Sequence, residues 1–207
     1  MKNLILDLDN TIYPVESIGN KLFASLFKLL ESAEYGLGLS TLEQAREQIM
    51  RVPFQKVAEQ FNFPPNLTQD ATELLRSLTY NEKMSYFEEY QLLRELKTMR
   101  FLLTSGFKNL QESKIHSLKI EGDFTEIFVI DPDVSNSTKK DAMMEIMEKY
   151  DLLSESLLVV GDDPESEIKA AKELGIASFL LDTKNAYPDA VADFRGRNLK
   201  DVLKYIK

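Results

Sequence analysis

Apolar residues run without interruption through Leu4, Ile5 and Leu6, and the run then gives way to charge at Asp7 and Asp9. A short apolar run without alternation predicts a strand buried on both faces of a parallel sheet. After Thr11 and Pro14 the period changes: Leu22, Phe23, Leu26, Phe27, Leu29 and Leu30 recur at helical spacing as far as Gly36-Leu37-Gly38. Ser40 or Thr41 starts a second helix with Leu42, Ala45, Ile49 and Met50 on one face, broken by Pro53. Phe54 to Phe61 forms a third, closed by Pro64-Pro65, and Leu67 to Leu78 a fourth. From Val15 to Met84 the pattern predicts about four helices and no strand, a small helical bundle.

Beyond this block the chain alternates. Phe87, Tyr90, Leu93 and Leu96 mark a helix, and Phe101-Leu102-Leu103 a strand ending in Thr104-Ser105-Gly106. A helix to about Lys119, a weak strand over Glu126 to Ile130 and a helix over Asp141 to Tyr150 follow. Leu157 to Val160 is a strand ending in Gly161-Asp162-Asp163. Helix Pro164 to Leu174, strand Ala177 to Leu181 and a last helix carrying Leu199, Val202, Leu203 and Ile206 complete the chain. Asp131-Pro132-Asp133 and Lys184 to Pro188 read as loops. The expected fold is α/β: a Rossmann-like parallel sheet of about five strands with helices on both faces, interrupted by an all-α insertion. The expected division is a core of residues 1–14 and 85–207, with residues 15–84 inserted.

Composition narrows the chemistry. At 207 residues, 43% hydrophobic and 29% charged, the chain can bury a sizeable core and shows no sign of disorder. A net charge of −9, with no dense basic run apart from Lys139-Lys140, argues against nucleic acid as a partner. With no cysteine, disulfides and thiolate metal sites are excluded. The first strand starts at the N-terminus and no apolar run reaches the ~18 residues of a membrane span. A cytoplasmic protein with no membrane partner is therefore expected, as a monomer or homodimer.

Asp7 and Asp9, two apart on an extended strand, share one side while Leu8 takes the other. Carboxylates so close repel, and the pair needs a cation, a shared proton or water between them. In a parallel α/β sheet, ligands bind beyond the carboxyl ends of the strands. The sequence sends four polar segments there: Asp7 and Asp9, Thr104-Ser105-Gly106, Lys139-Lys140, and Asp162-Asp163 with Glu167 one turn on. Carboxylates without histidine or cysteine form a hard-oxygen set that suits Mg²⁺, with phosphate as the natural further partner.

Asp-x-Asp-x-Thr on the first strand, Thr/Ser on the second, a lysine before a later helix and Gly-Asp-x-x-x-x-acid after a later strand resemble the four motifs of the haloacid dehalogenase superfamily. The helical block falls where that superfamily inserts a type-1 cap, and Leu8-Asp9-Asn10-Thr11-Ile12-Tyr13-Pro14 resembles its pyrimidine 5′-nucleotidase-like branch. The resemblance implies a Mg²⁺-dependent phosphomonoesterase for a small phosphorylated metabolite, a nucleoside 5′-monophosphate being the first candidate. It implies Asp7 as the nucleophile that becomes an aspartyl-phosphate, a role open to a carboxylate already ionised at neutral pH. Asp9 becomes the general acid and then base, held protonated at rest by crowding from Asp7 and Asp162.

Thr104 and Lys139 then hold the phosphoryl oxygens, helped by Asn10, Ser105 and Gly106. Asp7, the main-chain carbonyl of Asp9 and Asp162 bind the metal, with Asp163 or Glu167 orienting its waters. Glu167 stands where aspartate is usual. Lys139, four residues before the apolar Met143, is preferred over Lys140.

Plainer readings accompany these. Thr104-Ser105-Gly106 is also a turn, Asp163 a cap for the helix at Pro164, and His116 a surface residue. The phenylalanines of the helical block are mostly its core, and Glu88-Glu89 is a solvated face. A phosphomutase on the same fold, a phospho-receiver and a binding protein without turnover are the competing functions. Dehalogenase chemistry is disfavoured because it dispenses with the second acid, which Asp9 supplies.

Overall fold

The computed structural model of the protein describes residues 1–207. Its centre is a six-stranded parallel sheet of β1 (Asn3–Leu6), β2 (Arg100–Ser105), β3 (Glu126–Ile130), β4 (Leu157–Gly161), β5 (Ala177–Leu181) and β6 (Phe194–Gly196). The strand order is β3-β2-β1-β4-β5-β6. The α/β architecture is as the hydrophobic pattern predicts, with one strand more. β6, a three-residue Phe-Arg-Gly edge strand paired only with β5, carries no apolar run to announce it.

Between β1 and β2 the regular structure is helical. A 3-10 turn at Val15–Ser17 leads to α1 (Gly19–Leu22), α2 (Ala24–Leu30), α3 (Leu39–Ile49), α4 (Phe54–Gln60) and α5 (Pro65–Ser77). The helix expected through Leu22 and Leu30 is thus two pieces meeting at Phe23. After α6 (Tyr90–Arg94), the strands alternate with α7 (Lys108–Leu118), α8 (Lys139–Lys149) and α9 (Lys169–Glu173). A π-helical turn at Pro164–Ile168 precedes α9. The closing segment Leu199–Lys204 is a 3-10 helix rather than an α-helix. No helix is long and apolar enough to cross a membrane.

Both faces of the sheet are covered, which explains the missing alternation in β1. Ile5, Phe101, Leu103 and Val159 pack with Ala142, Met143 and Ile146 of α8 and Ala170 and Ala171 of α9. On the other face Leu4, Leu6, Leu102 and Val160 join Leu110, Ile115 and Leu118 of α7 in a core that continues into Leu26, Ala45, Val57 and Leu67 of the helical block. Each such leucine, fully buried, stabilises the fold by about 1.5–3 kcal/mol. From β1 the chain passes through the helical block to β2 on one side, whereas β4 lies on the other. The crevice beyond β1 is therefore the topological switch point, where open parallel sheets bind ligands.

Candidate active site

Four chain segments meet at this crevice. Leu6 is in register with Leu102 and Val160, and the Asp7 amide donates to the Val160 carbonyl at 3.0 Å, so Asp7 emerges as the ladder ends. Thr104 is on β2 and Asp162 directly follows β4. Lys139 opens α8, whose start is fixed by a capping box: Thr138 Oγ1 accepts from the Asp141 amide at 3.3 Å and Asp141 Oδ2 from the Thr138 amide at 2.7 Å. From there Lys139 Nζ donates to Asp7 Oδ1 at 2.5 Å and to Glu167 Oε2 at 2.7 Å. Lys140 turns outward to Glu173 at 2.8 Å.

Carboxylate oxygens of Asp7, Asp162 and Glu167 lie within 4.8 Å of one another. Glu167 is 2% exposed, and its Oε1 accepts from the Asp163 amide at 2.8 Å. Burial pushes the Asp7 carboxyl up to about 7, with Glu167 and Asp9 adding to the rise and Lys139 opposing it. Burial, then the Glu167 and Asp7 charges, pushes Asp162 well above the usual carboxylate range. The carboxyl oxygens of Asp7, Asp162 and Glu167, with the Lys139 ammonium on Asp7 and Glu167, form a set of hard oxygen donors that fits a Mg²⁺-sized cation.

Asp9 faces elsewhere. Lys114 Nζ of α7 donates to its Oδ1 at 2.7 Å and Oδ2 at 2.8 Å, Gln111 Nε2 donates to Oδ2 at 2.9 Å, and the Tyr13 hydroxyl donates to Oδ1. Burial pushes this carboxyl up, but the Lys114 ammonium and the three donors more than offset it and hold Asp9 below the usual range. The expectation that crowding keeps Asp9 protonated is therefore corrected: the like-charge penalty falls on Asp7 and Asp162, while Asp9 has a cation of its own.

The model for the haloacid dehalogenase-like hydrolase family matches residues 4–181. The chain belongs to that family. Among solved structures, the haloacid dehalogenase-like family protein SP0104 from Streptococcus pneumoniae is 17% identical, with a TM-score of 0.73 over 100% of this chain and 99% of that one. The magnesium-bound HAD-hydrolase YfnB from Bacillus subtilis is 15% identical, with a TM-score of 0.66 over 100% and 98%. A 2-haloacid dehalogenase from Pseudomonas syringae is 16% identical, with a TM-score of 0.55 over 99% and 97%. At these identities the likeness is one of fold. No curated protein matches the sequence.

In this haloacid dehalogenase-like hydrolase, Asp7, Asp9, Thr104, Ser105, Gly106, Lys139, Asp162, Asp163 and Glu167 all line one cavity of about 540 Å³. Asn10 does not join them. Its backbone is left-handed (φ 57°), and its side chain accepts from the Val15 amide at 3.1 Å and donates to the Met50 carbonyl at 3.4 Å, tying β1 to the helical block. The Gly106 amide is already donated to the Ile130 carbonyl at 2.9 Å. Asp163 Oδ1 caps the π-helical turn by accepting from the Glu165 amide at 2.9 Å.

Sequence reasoning missed Tyr13, Gln111 and Lys114 as partners of Asp9. The signal lay in α7, whose buried stripe is Leu110, Gln111, Lys114, Ile115 and Leu118. An amide and an ammonium on an apolar stripe need buried partners.

Proposed function

We propose that the protein is a Mg²⁺-dependent phosphomonoesterase working through an aspartyl-phosphate on Asp7. The observation that carries this reading is the buried Asp7 carboxyl, bonded to Lys139 at 2.5 Å and grouped with Asp162 and Glu167. Asp7, Asp162 and the main-chain carbonyl of Asp9 would hold Mg²⁺. The bound ion supplies charge neutralisation between the carboxylates and the incoming phosphate.

In the first half-reaction an Asp7 oxygen attacks phosphorus, the bond to the leaving oxygen breaks, and Asp9, ionised at rest, gives that oxygen a proton it has taken from solvent on letting go of one of its resting donors. In the second, Asp9 takes a proton from water as the water attacks phosphorus and the bond to Asp7 breaks, and loss of that proton to solvent returns Asp9 to its ionised resting state. Thr104 and Lys139 hold the phosphoryl oxygens, the lysine adding a fixed positive charge where negative charge develops. Ser105 joins them at the end of β2. Glu167 holds Lys139 in place.

Residues 15–84 act as the type-1 cap over a core of 1–14 and 85–207. The cavity is also lined by Phe23, Leu26, Phe54 and Leu75 of the helical block, which suits a small phosphorylated metabolite with an apolar or ring-bearing alcohol. A nucleoside 5′-monophosphate is the first candidate, in keeping with the nucleotidase-like string Leu8 to Pro14.

The test is phosphate release from nucleoside, sugar and aryl phosphates, with and without Mg²⁺, by the native chain and Asp7→Asn. Mg²⁺-dependent release lost in Asp7→Asn is expected. No release from any ester, with the two proteins indistinguishable, overturns the reading.

A further inference from the structure

Lys114 and Gln111 have no place in the mechanism above, yet they are 4% and 1% exposed and both end on Asp9, whose side chain is 28% exposed. A carboxylate offers about four lone-pair sites. Those of Asp9 meet four contacts: two from Lys114 Nζ, one from Gln111 Nε2 and one from the Tyr13 hydroxyl. Gln111 Nε2 also lies 2.6 Å from Thr104 Oγ1 and 3.1 Å from the Ser105 carbonyl, so its two N–H groups are shared among three acceptors. One amide therefore binds the proposed acid/base to the strand end that carries the phosphate-holding hydroxyl. The amide orientation is fixed by chemistry, because Asp9 and the Ser105 carbonyl can only accept. Gly106 makes room for it: at φ 148° it brings the β2 turn against Gln111, whose carboxamide carbon would lie 3.2 Å from a Cβ there.

We propose that Lys114 and Gln111 are positioning residues forming a dock for Asp9, which fixes its carboxylate on the α7 side of the cavity, away from the Asp7, Asp162 and Glu167 cluster. This rests on the phosphoesterase reading for its consequence but not for its geometry. With every lone pair engaged, the docked carboxylate has no free site for a leaving oxygen or an attacking water. Proton exchange with either requires one donor to let go. Docking restricts Asp9 to its acid/base task and keeps its side chain out of the metal position beside Asp7. Both hydrogen bonds of the Lys114 ammonium end on Asp9, and its other neighbour is the ring of Tyr13, itself a donor to Asp9.

The test is a double-mutant cycle. Lys114→Met and Gln111→Leu are each made in the native chain and in Asp9→Asn, with thermal melts to confirm folding. The probe is p-nitrophenyl phosphate with Mg²⁺, read as the nitrophenolate burst and the steady state. Its good leaving group keeps the first step measurable in Asp9→Asn. In the native background either substitution lowers kcat about 10- to 100-fold, part of what a positioned acid/base contributes, with KM nearly unchanged. In the Asp9→Asn background each changes the burst rate less than about 2-fold, because the group they position is gone. Equal losses in both backgrounds show a merely structural role and overturn the proposal.

If one variant does not fold, the other carries the cycle. A crystal structure of Lys114→Met/Gln111→Leu gives a second readout, independent of activity. The Asp9 carboxyl leaves α7 if the dock holds it, and an unmoved carboxyl overturns the proposal. A native enzyme inactive on every phosphomonoester sinks the phosphoesterase reading and leaves the dock to be judged on that structure alone.

Discussion

Glu167 lies against the bare Cα of Gly161: a Cβ on that glycine would sit 2.5 Å from the Glu167 carboxyl carbon. The glycine ending β4 is thus required by space rather than by backbone angle. Through that contact Glu167 reaches Lys139 and the Asp163 amide together. Gly161→Ala is expected to push the glutamate aside and let Lys139 drift from Asp7. Displacing a catalytic group by about 1 Å costs on the order of 100-fold in rate, while overpacking costs about 1–3 kcal/mol of stability. Phosphate-release kinetics beside a urea melt separate the two effects. Full activity in a destabilised Gly161→Ala would show that the Glu167 position is irrelevant to catalysis.

The two adjacent lysines give a paired control. Lys139 is bonded to two buried carboxylates, whereas the Lys140 and Glu173 side chains are 40% and 46% exposed. Lys139→Ala leaves Asp7 and Glu167 buried without a counter-charge, a loss of about 3–5 kcal/mol, together with loss of turnover. Lys140→Ala removes an exposed pair worth about 0–1 kcal/mol and keeps turnover. The Lys139→Ala penalty shrinks on acidification, since protonating Asp7, which burial pushes up, removes part of the stranded charge. Urea unfolding at pH 5.5 and pH 8 checks this.

Divalent-ion binding is expected to release protons. Burial pushes Asp7 up to about 7 and Asp162 also rises, so near neutral pH the metal-free cluster still holds protons that a cation must displace. Affinity therefore rises with pH from 6 to 8. For the metal-free protein the sign follows the raised folded-state value. Above the usual carboxylate range the folded chain binds more protons than the unfolded one, so Asp7 lowers stability as pH climbs toward 7. Mg²⁺ titrations by calorimetry, in two buffers of different ionisation enthalpy, read the proton release directly. Identical apparent enthalpies in both buffers would contradict it.

The sequence showed most of the fold because the strands announce themselves. Leu4-Ile5-Leu6 and Leu157 to Val160 are apolar on both faces, which only a doubly covered sheet explains. β6 was hidden since Phe194–Gly196 has a single neighbour and little apolar surface to display. At the site, the residues at strand ends were visible because charge interrupts an apolar run at Asp7 and Asp162. The charge state of Asp9 was not, because it depends on Lys114, which is 105 positions away and reaches it only through tertiary packing. The side-chain contacts of Asn10 were hidden for a related reason: the left-handed turn there sends its amide to Val15 and Met50, which the string Leu8 to Pro14 does not announce.

The helical block and the sheet share one core, and this sets how the protein unfolds. Leu26, Ala45 and Val57 from the block belong to the same buried cluster as Leu4, Leu6 and Leu8 from the first strand and its turn. Polar ties cross the same boundary, with Arg76 of α5 paired to Asp133 and Glu16 to Lys184. A unit whose apolar face is completed by its neighbour cannot keep that face buried after the neighbour melts. Leu26→Ala, a cavity within the block, is expected to lower global stability by about 2–5 kcal/mol while leaving a single transition. Far-UV circular dichroism and tyrosine emission follow it independently, the latter through Tyr35 and Tyr80 in the block and Tyr150 and Tyr205 in the core. Coincident urea curves are the expected result, and an early tyrosine phase separated from the loss of sheet signal would mean that the block unfolds by itself.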